Sequence, residues 1–245
     1  MKNYKITMSY DGTNYHGFQR QDNAYTVQEA VETALFKLTG ERVSVAGCSR
    51  TDTGVHAREF VFSVKLESPI TSRGIVFGTN NLLSGDIALR SCEEAPDVFH
   101  ARYDCVGKEY EYLVHNSEIK NPFLFTRAYK HWFPIDAQRL NEAAQSFVGT
   151  HDFKSFCAAA CTKENTVRTI HSFSVTRQGD LVSFLISGDG FLYNMVRILV
   201  GTLLFVNDGK IAADALPGIL AEKNRTCAGK TVPAHGLYLN RVFYK

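Results

Sequence analysis

From Tyr4 to Tyr10 the chain alternates apolar and polar residues without a break, so its apolar set falls on one face of a half-buried strand that Asp11-Gly12 ends. The period then lengthens. Thr26-Val27-Gln28-Glu29 is a capping box in which Thr26 and Glu29 can each satisfy a backbone donor, and Val27, Ala30, Val31, Ala34, Leu35 and Leu38 follow at helical spacing until Gly40 stops the helix. Val43 to Ala46 reads as a short strand, and Phe60, Phe62, Val64 and Leu66 alternate with Val61, Ser63 and Lys65 in a firmer one. Residues 71–82 are expected to be helical, 86–92 a strand, and 109–115 a strand with Tyr110, Tyr112 and Val114 on one face.

Further on, Leu140, Ala143, Ala144, Phe147 and Val148 predict a helix from about 136 to 148, with Gly149 after it. Residues 170–176 and 181–187 flank a turn at Gln178-Gly179-Asp180 and read as a hairpin. The stretch 191–206 is apolar almost all round, as expected of a buried helix; 212–222 is a weaker helix and 237–244 a final strand. Strand, helix, strands, helix and strand thus recur in each half, with hairpins in place of regular βα alternation. That order predicts an α+β fold of two similar lobes with mainly antiparallel sheets, residues 1–105 and 106–245, meeting at a central cleft. No linker of Gly, Ser or Pro marks the boundary, and no strong internal repeat supports it.

Composition narrows the class. At 245 residues and 44% apolar the chain can bury a sizeable core, which excludes disorder. No run of eighteen apolar residues occurs, and Met1-Lys2-Asn3 leads straight into a strand-like pattern, so a cytoplasmic protein with no membrane partner is expected. Six cysteines, at 48, 92, 105, 157, 161 and 227, lack a recurring short spacing and read as reduced, packed thiols. Cys157 and Cys161 near His151 are a lone i, i+4 pair, short of the three or four ligands a zinc site needs, so no metal is expected. A net charge of +2 does not announce a nucleic-acid binder. Residues 1–105 hold 11 Lys and Arg against 13 Asp and Glu, and the rest 16 against 12, so any RNA surface must be a local patch.

The densest set of functional side chains lies between two strands, in Gly47-Cys48-Ser49-Arg50-Thr51-Asp52-Thr53-Gly54-Val55-His56-Ala57-Arg58. A loop flanked by strands can be held rigidly. An arginine two residues from a carboxylate favours its ionised form, and an ionised, positioned carboxylate is a usable nucleophile. Two other readings fit the same residues. Asp-Thr-Gly is good turn chemistry in its own right. It is also the tripeptide of an aspartic protease, but that mechanism needs two carboxylates sharing a proton, and the sequence has a single Asp-Thr-Gly beside an arginine that opposes such sharing.

Arg50-Thr51-Asp52-Thr53-Gly54-Val55-His56-Ala57 closely resembles the motif of the tRNA pseudouridine synthase A family, approximately G-R-T-D-x-G-V-H-A. Other blocks agree in order: Tyr10-Asp11-Gly12-Thr13, Gly17-Phe18-Gln19-Arg20-Gln21, Phe99-His100-Ala101-Arg102, Lys108-Glu109-Tyr110-Glu111-Tyr112, His151-Asp152-Phe153, Met195-Val196-Arg197 and Gly236-Leu237-Tyr238-Leu239. Ser49 stands where the family usually has glycine, and Thr53 where a residue such as alanine is common; both are small enough for a tight loop. The resemblance implies that Asp52 is the catalytic nucleophile, Tyr110 the active-site tyrosine and Arg197 the basic residue of the active site. It further implies an RNA-binding cleft, a tRNA substrate modified in the anticodon arm at nucleotides 38 to 40, and a homodimer. The reaction breaks the N1–C1′ bond of uridine, turns the uracil over and rejoins it through C5 with no redox change, so no cofactor is implied.

The residues bear this out to different degrees when read alone. An aromatic ring such as Tyr110 can stack on an extruded base, though tyrosines in strands are also ordinary core residues, and Tyr112 on the same face is the natural one. Arg197 is the only charge between Asp189 and Asp208. A guanidinium in so apolar a helix needs a partner: Asp52 is expected, with another acid or backbone carbonyls as the structural alternative. Arg20, Arg50, Arg58 and Arg102 are candidate phosphate contacts, and each alone also reads as a solvated surface residue. His56 and His100 are read as loop-orienting groups and not as general bases. An RNA-binding relative without catalysis and an unrelated hydrolase using the Asp-Thr-Gly loop are the rival functions.

Overall fold

In the computed structural model, which describes residues 1–158 and 164–245, the alternating start of the chain is strand β1 (Lys2–Tyr10), with Ile6 and Met8 wholly buried. Helix α1 (Val27–Thr39) begins where Thr26 Oγ1 accepts from the Glu29 amide at 3.3 Å and ends at Gly40, whose φ of 77° is the left-handed conformation that lets its N–H reach the Phe36 carbonyl. The expected strand at 43–46 shrinks to β2 (Ala46–Gly47), opposite Ser63 and Phe62. Its missing half has a physical cause: the Val45 amide donates to the buried carboxylate of Glu32, at 3.1 Å, and not to a neighbouring strand. Strand β3 (His56–Leu66) follows. Helix α2 (Ser72–Asn80), capped by Thr71, stops two residues short of the expected end because the Asn80 side chain bonds both the carbonyl and the amide of Leu89 in strand β4 (Ile87–Ala95).

Strand β5 (Cys105–His115) is paired in parallel with a short β6 (Tyr129–Lys130) that hydrophobic patterning does not predict. Helix α3 (Ala137–Ala144) is capped by Asp136 and passes into a 3-10 turn at Gln145–Phe147, before the expected end at 148. A second unexpected strand, β7 (Gly149–Asp152), pairs antiparallel with β8 (Val167–Gln178), which forms the expected hairpin with β9 (Leu181–Gly188) across Gly179, φ 58°. Helix α4 (Met195–Asn207) starts four residues later than expected, since Asn194 takes a left-handed φ of 60°. Of the weaker helix, Ala213–Ala215 is a 3-10 turn, and α5 (Leu216–Glu222) begins with Pro217 in its first turn. The last strand is β10 (Leu237–Tyr244).

The chain divides into two units, residues 1–106 with 238–245, and residues 107–237. In the first, β1 lies between β3 and β4, antiparallel to both, and β10 adds to β3 in parallel with Tyr238 opposite His56. The second carries the order β5-β9-β8-β7, all antiparallel. The fold is therefore α+β with mainly antiparallel pairing. Among the described residues no helix is long and apolar enough to cross a membrane. Cys48 and Cys157 are buried free thiols, while Cys161 lies outside the described residues.

Candidate active site

The Asp52 loop is fixed from several sides within the first unit. Its ends are strand: the Cys48 amide donates to Val61 O at 2.8 Å, and β3 starts at His56. Thr51 is buried, its hydroxyl shares a 2.8 Å hydrogen bond with the Tyr10 hydroxyl, and its carbonyl accepts from the Phe18 amide at 3.1 Å. The Val55 amide closes a turn on the Asp52 carbonyl at 3.1 Å, with Gly54 at φ 78° where a side chain would be strained. Gly17, at φ 84°, packs so closely that a β-carbon there would lie 2.5 Å from Thr51 O. Asp52 itself is half-buried and Arg50 exposed.

Below the turn, the Nδ1 atom of the buried His56 ring lies 3.0 Å from both the Gly12 amide and the Asp11 carboxylate. One ring nitrogen cannot accept from the first and donate to the second at once, so the two contacts are alternatives: Nδ1 without a proton accepts from Gly12, and Nδ1 bearing one donates to Asp11. The ring stacks on Tyr238 at a centroid distance of 4.7 Å. Arg58 also lies over the Tyr238 ring, at 4.7 Å, and donates to Asn240 at 3.0 Å, so its guanidinium is held in place on the surface.

In the second unit, Tyr110 on β5 is buried and meets Phe191 edge-on, 5.2 Å between centroids. Tyr112 is fully buried and donates to the Pro233 carbonyl at 2.7 Å, and burial holds its hydroxyl pKa well above the ordinary value. Arg197 is half-buried in α4, where its Nε donates to Val232 O at 2.8 Å and its Nη1 to Asn194 Oδ1 at 2.7 Å. The segment that supplies Val232 presses against the helix: a β-carbon on Gly201 would stand 1.8 Å from Lys230 O, and the Gly229 amide donates to Thr202. Arg197 thus counts a backbone carbonyl and the side chain of Asn194, a residue in left-handed backbone conformation, among its partners.

A family model described as tRNA pseudouridine synthase matches residues 6–104 and 143–245. The tRNA pseudouridine synthase A of Acetivibrio thermocellus is 46% identical over 244 residues, covering all of both chains, and that of Ruminiclostridium cellulolyticum 45% identical over 245, again covering both. The chain belongs to the tRNA pseudouridine synthase A family. It is accordingly an isomerase. A solved Cbf5-Nop10-Gar1 complex aligns at a TM-score of 0.39 and 11% identity, over 96% of this chain and 57% of that one, too loosely to bear on the site.

Membership of this family fits sequence blocks that looked unrelated. Tyr10, Gly12, Gly17 and Phe18 all touch the Asp52 loop, so the first two blocks are its support and not separate sites. Tyr110 falls between the two stretches matched by the family model, but within the full-length match to the relatives. Arg20, expected to meet phosphate, pairs with two carboxylates of α1, Glu32 at 2.7 Å and Glu29 at 3.4 Å. Arg102 is exposed. Sequence reasoning missed Tyr238 beneath His56 and Arg58, and Asn194 beside Arg197; the Gly236-Leu237-Tyr238-Leu239 block was the available signal for the first, and no local pattern marked the second.

Proposed function

We propose that the chain converts uridine to pseudouridine at nucleotides 38 to 40 of the tRNA anticodon arm, with Asp52 as nucleophile and no cofactor. The observation that carries this reading is the dense hydrogen bonding and close packing of the Asp52 turn through Thr51, Gly17 and Val55, since a carboxylate held by such a turn is in place to react without further ordering. The N1–C1′ bond breaks, the uracil rotates, a C5–C1′ bond forms, the C5 proton is lost and N1 gains one. Tyr110 offers a ring against which the extruded base stacks. Arg197, cupped by Asn194 and Val232, brings fixed positive charge to the same reaction. The immobilised guanidinium of Arg58, with exposed Arg50 and Arg102, supports the reading of phosphate contacts. We also propose a cytoplasmic homodimer, whose test is a light-scattering mass twice that of the chain.

The deciding experiment incubates the protein with unmodified tRNA, without metal or nucleotide, and maps pseudouridine. Wild type forms it at 38 to 40. Asp52→Asn retains tRNA affinity, because phosphate and stacking contacts supply most of it. Its single-turnover rate falls more than about a hundredfold, since an amide is a far poorer nucleophile. A smaller loss removes Asp52 as nucleophile.

A further inference from the structure

We propose that the turn from His100 to Asp104, with the cavity beside it, binds an unpaired nucleotide of the RNA substrate other than the one that reacts, its base stacked on Tyr103. The proposal rests on the tRNA reading above and adds a subsite to it. Tyr103 is 77% exposed, far more than packing would leave a tyrosine, and its ring faces that of His100 at 4.3 Å and 33°. Such a ring has one face backed by protein and one face open, which is the arrangement that receives a base.

The turn is built before any ligand arrives. Both the Tyr103 and Asp104 amides donate to the His100 carbonyl at 3.1 Å, the His100 amide donates to Asp104 Oδ2 at 2.8 Å, and the Arg102 amide donates to His100 Nδ1 at 3.1 Å. In that last bond Nδ1 is the acceptor, and the contact holds the ring behind Tyr103. The buried Ala101 pins the turn to the sheet, its amide donating to Ser63 Oγ at 3.2 Å and its carbonyl accepting from the Tyr244 hydroxyl at 2.6 Å. Little conformational freedom remains to be lost on stacking.

Beside the ring lies a cavity of about 400 Å³, within the size range of small-ligand sites, whose lining includes Phe99, Tyr103, Asp104, Tyr244 and Lys245. Its chemistry sorts a nucleotide into parts. Aromatic walls take the base, the Asp104 carboxylate accepts from a base N–H and repels phosphate, and the cations of Lys245 and exposed Arg102 favour phosphate at the rim. An apolar protein segment would cover the Asp104 carboxylate and the Lys245 side chain and offer neither of them a polar contact. Ser63 is seven residues along β3 from His56, about 23 Å at the usual rise, so this base is distinct from a uridine reacting at the Asp52 loop.

The test is binding of unmodified tRNA to Tyr103→Ala and Tyr103→Phe, followed by fluorescence anisotropy, with single-turnover pseudouridine formation at saturating tRNA. Tyr103→Ala is expected to weaken binding about tenfold, the loss of one stacked base, with the saturated rate within about twofold of wild type. Tyr103→Phe binds as wild type does. Arg102→Gln lowers the salt dependence of binding by about one phosphate contact. Unaltered binding by Tyr103→Ala in a wild-type protein that does form pseudouridine overturns the subsite alone, as does loss of binding in Tyr103→Phe. Failure of wild type to bind or modify tRNA defeats the underlying functional reading instead.

Discussion

Gly12→Ala tests whether the clamp on the Asp52 turn matters to chemistry. A β-carbon on Gly12 would stand 2.0 Å from the Val55 carbonyl oxygen and 2.7 Å from its carbon, where ordinary contact begins at 3.4 Å. The shortfall is about 1.4 Å, both partners are backbone, and Gly12 is not among the glycines of positive φ, so the penalty is steric crowding and not backbone strain. Something must move, and the atoms nearest are those of the turn that carries Asp52. Overpacking of this kind costs about 1 to 3 kcal/mol, which for a chain of this length lowers the melting temperature by about 2 to 12 °C. Displacing a reacting group by about 1 Å costs about a hundredfold in rate. Gly12→Ala should therefore melt several degrees lower and show about a hundredfold slower single-turnover pseudouridine formation, with tRNA affinity within about threefold of wild type, measured by filter binding. Gly85→Ala is the control, since its β-carbon meets nothing within 4 Å at an ordinary φ, and it should match wild type in both assays. A Gly12→Ala protein that turns over at the wild-type rate would refute the claim that backbone packing in the first unit places the Asp52 turn for reaction.

Tyr112→Phe should lower stability by about 1 to 3 kcal/mol in guanidinium unfolding, because the Pro233 carbonyl loses a buried donor, while the saturated rate stays unchanged; Tyr110→Phe should do the opposite to the rate and slow turnover. Asn194→Gly relieves a left-handed backbone conformation and removes the Oδ1 acceptor of Arg197, so stability should hold or rise while turnover drops, and Asn194→Asp, which keeps an acceptor, should recover part of the rate. The Asp152 carboxyl is held below its ordinary pKa of 3.8 by hydrogen bonds from Thr166 and Lys223, so its contribution is present above that pH and is lost as pH falls through the depressed value. The melting difference between wild type and Asp152→Asn should accordingly stay constant from pH 7 to about 5 and close below 4; a difference that persists in acid would show that the carboxylate charge is not its source.

Local signals were legible because local physics decides them. Alternation in β1, the Thr26 cap and the Gly40 stop each act within a few residues, and each appears where the pattern put it. Short strands β6 and β7, of two and four residues, carry too few positions for a period to show. Where side chains intercept backbone, pattern misleads: Glu32 takes the amide that a strand at 43–46 would have used, and the Asn80 side chain ends α2 early. The candidate residues on loops were found through their motif, but their supports were not. Nothing near Gly12 says that Val55 will press on it, and the reading of Arg20 as a candidate phosphate contact carried no sign of Glu29 and Glu32 facing it. Arg197 was conspicuous as a lone charge in an apolar helix, yet its cradle depends on a backbone angle at Asn194 that composition does not encode.

The pairing of Tyr238 with His56 has a consequence for how the protein is made. The ring that lies against His56 and Arg58 is supplied by a residue 182 positions further along the chain, so during translation the Asp52 loop emerges long before this part of its support exists. At about 5 to 20 residues per second, the interval is about ten to forty seconds. Throughout that time the exposed edge of β3 awaits a partner strand, and a nascent chain stalled before residue 238 carries the Asp52 motif without the parallel strand that completes its sheet.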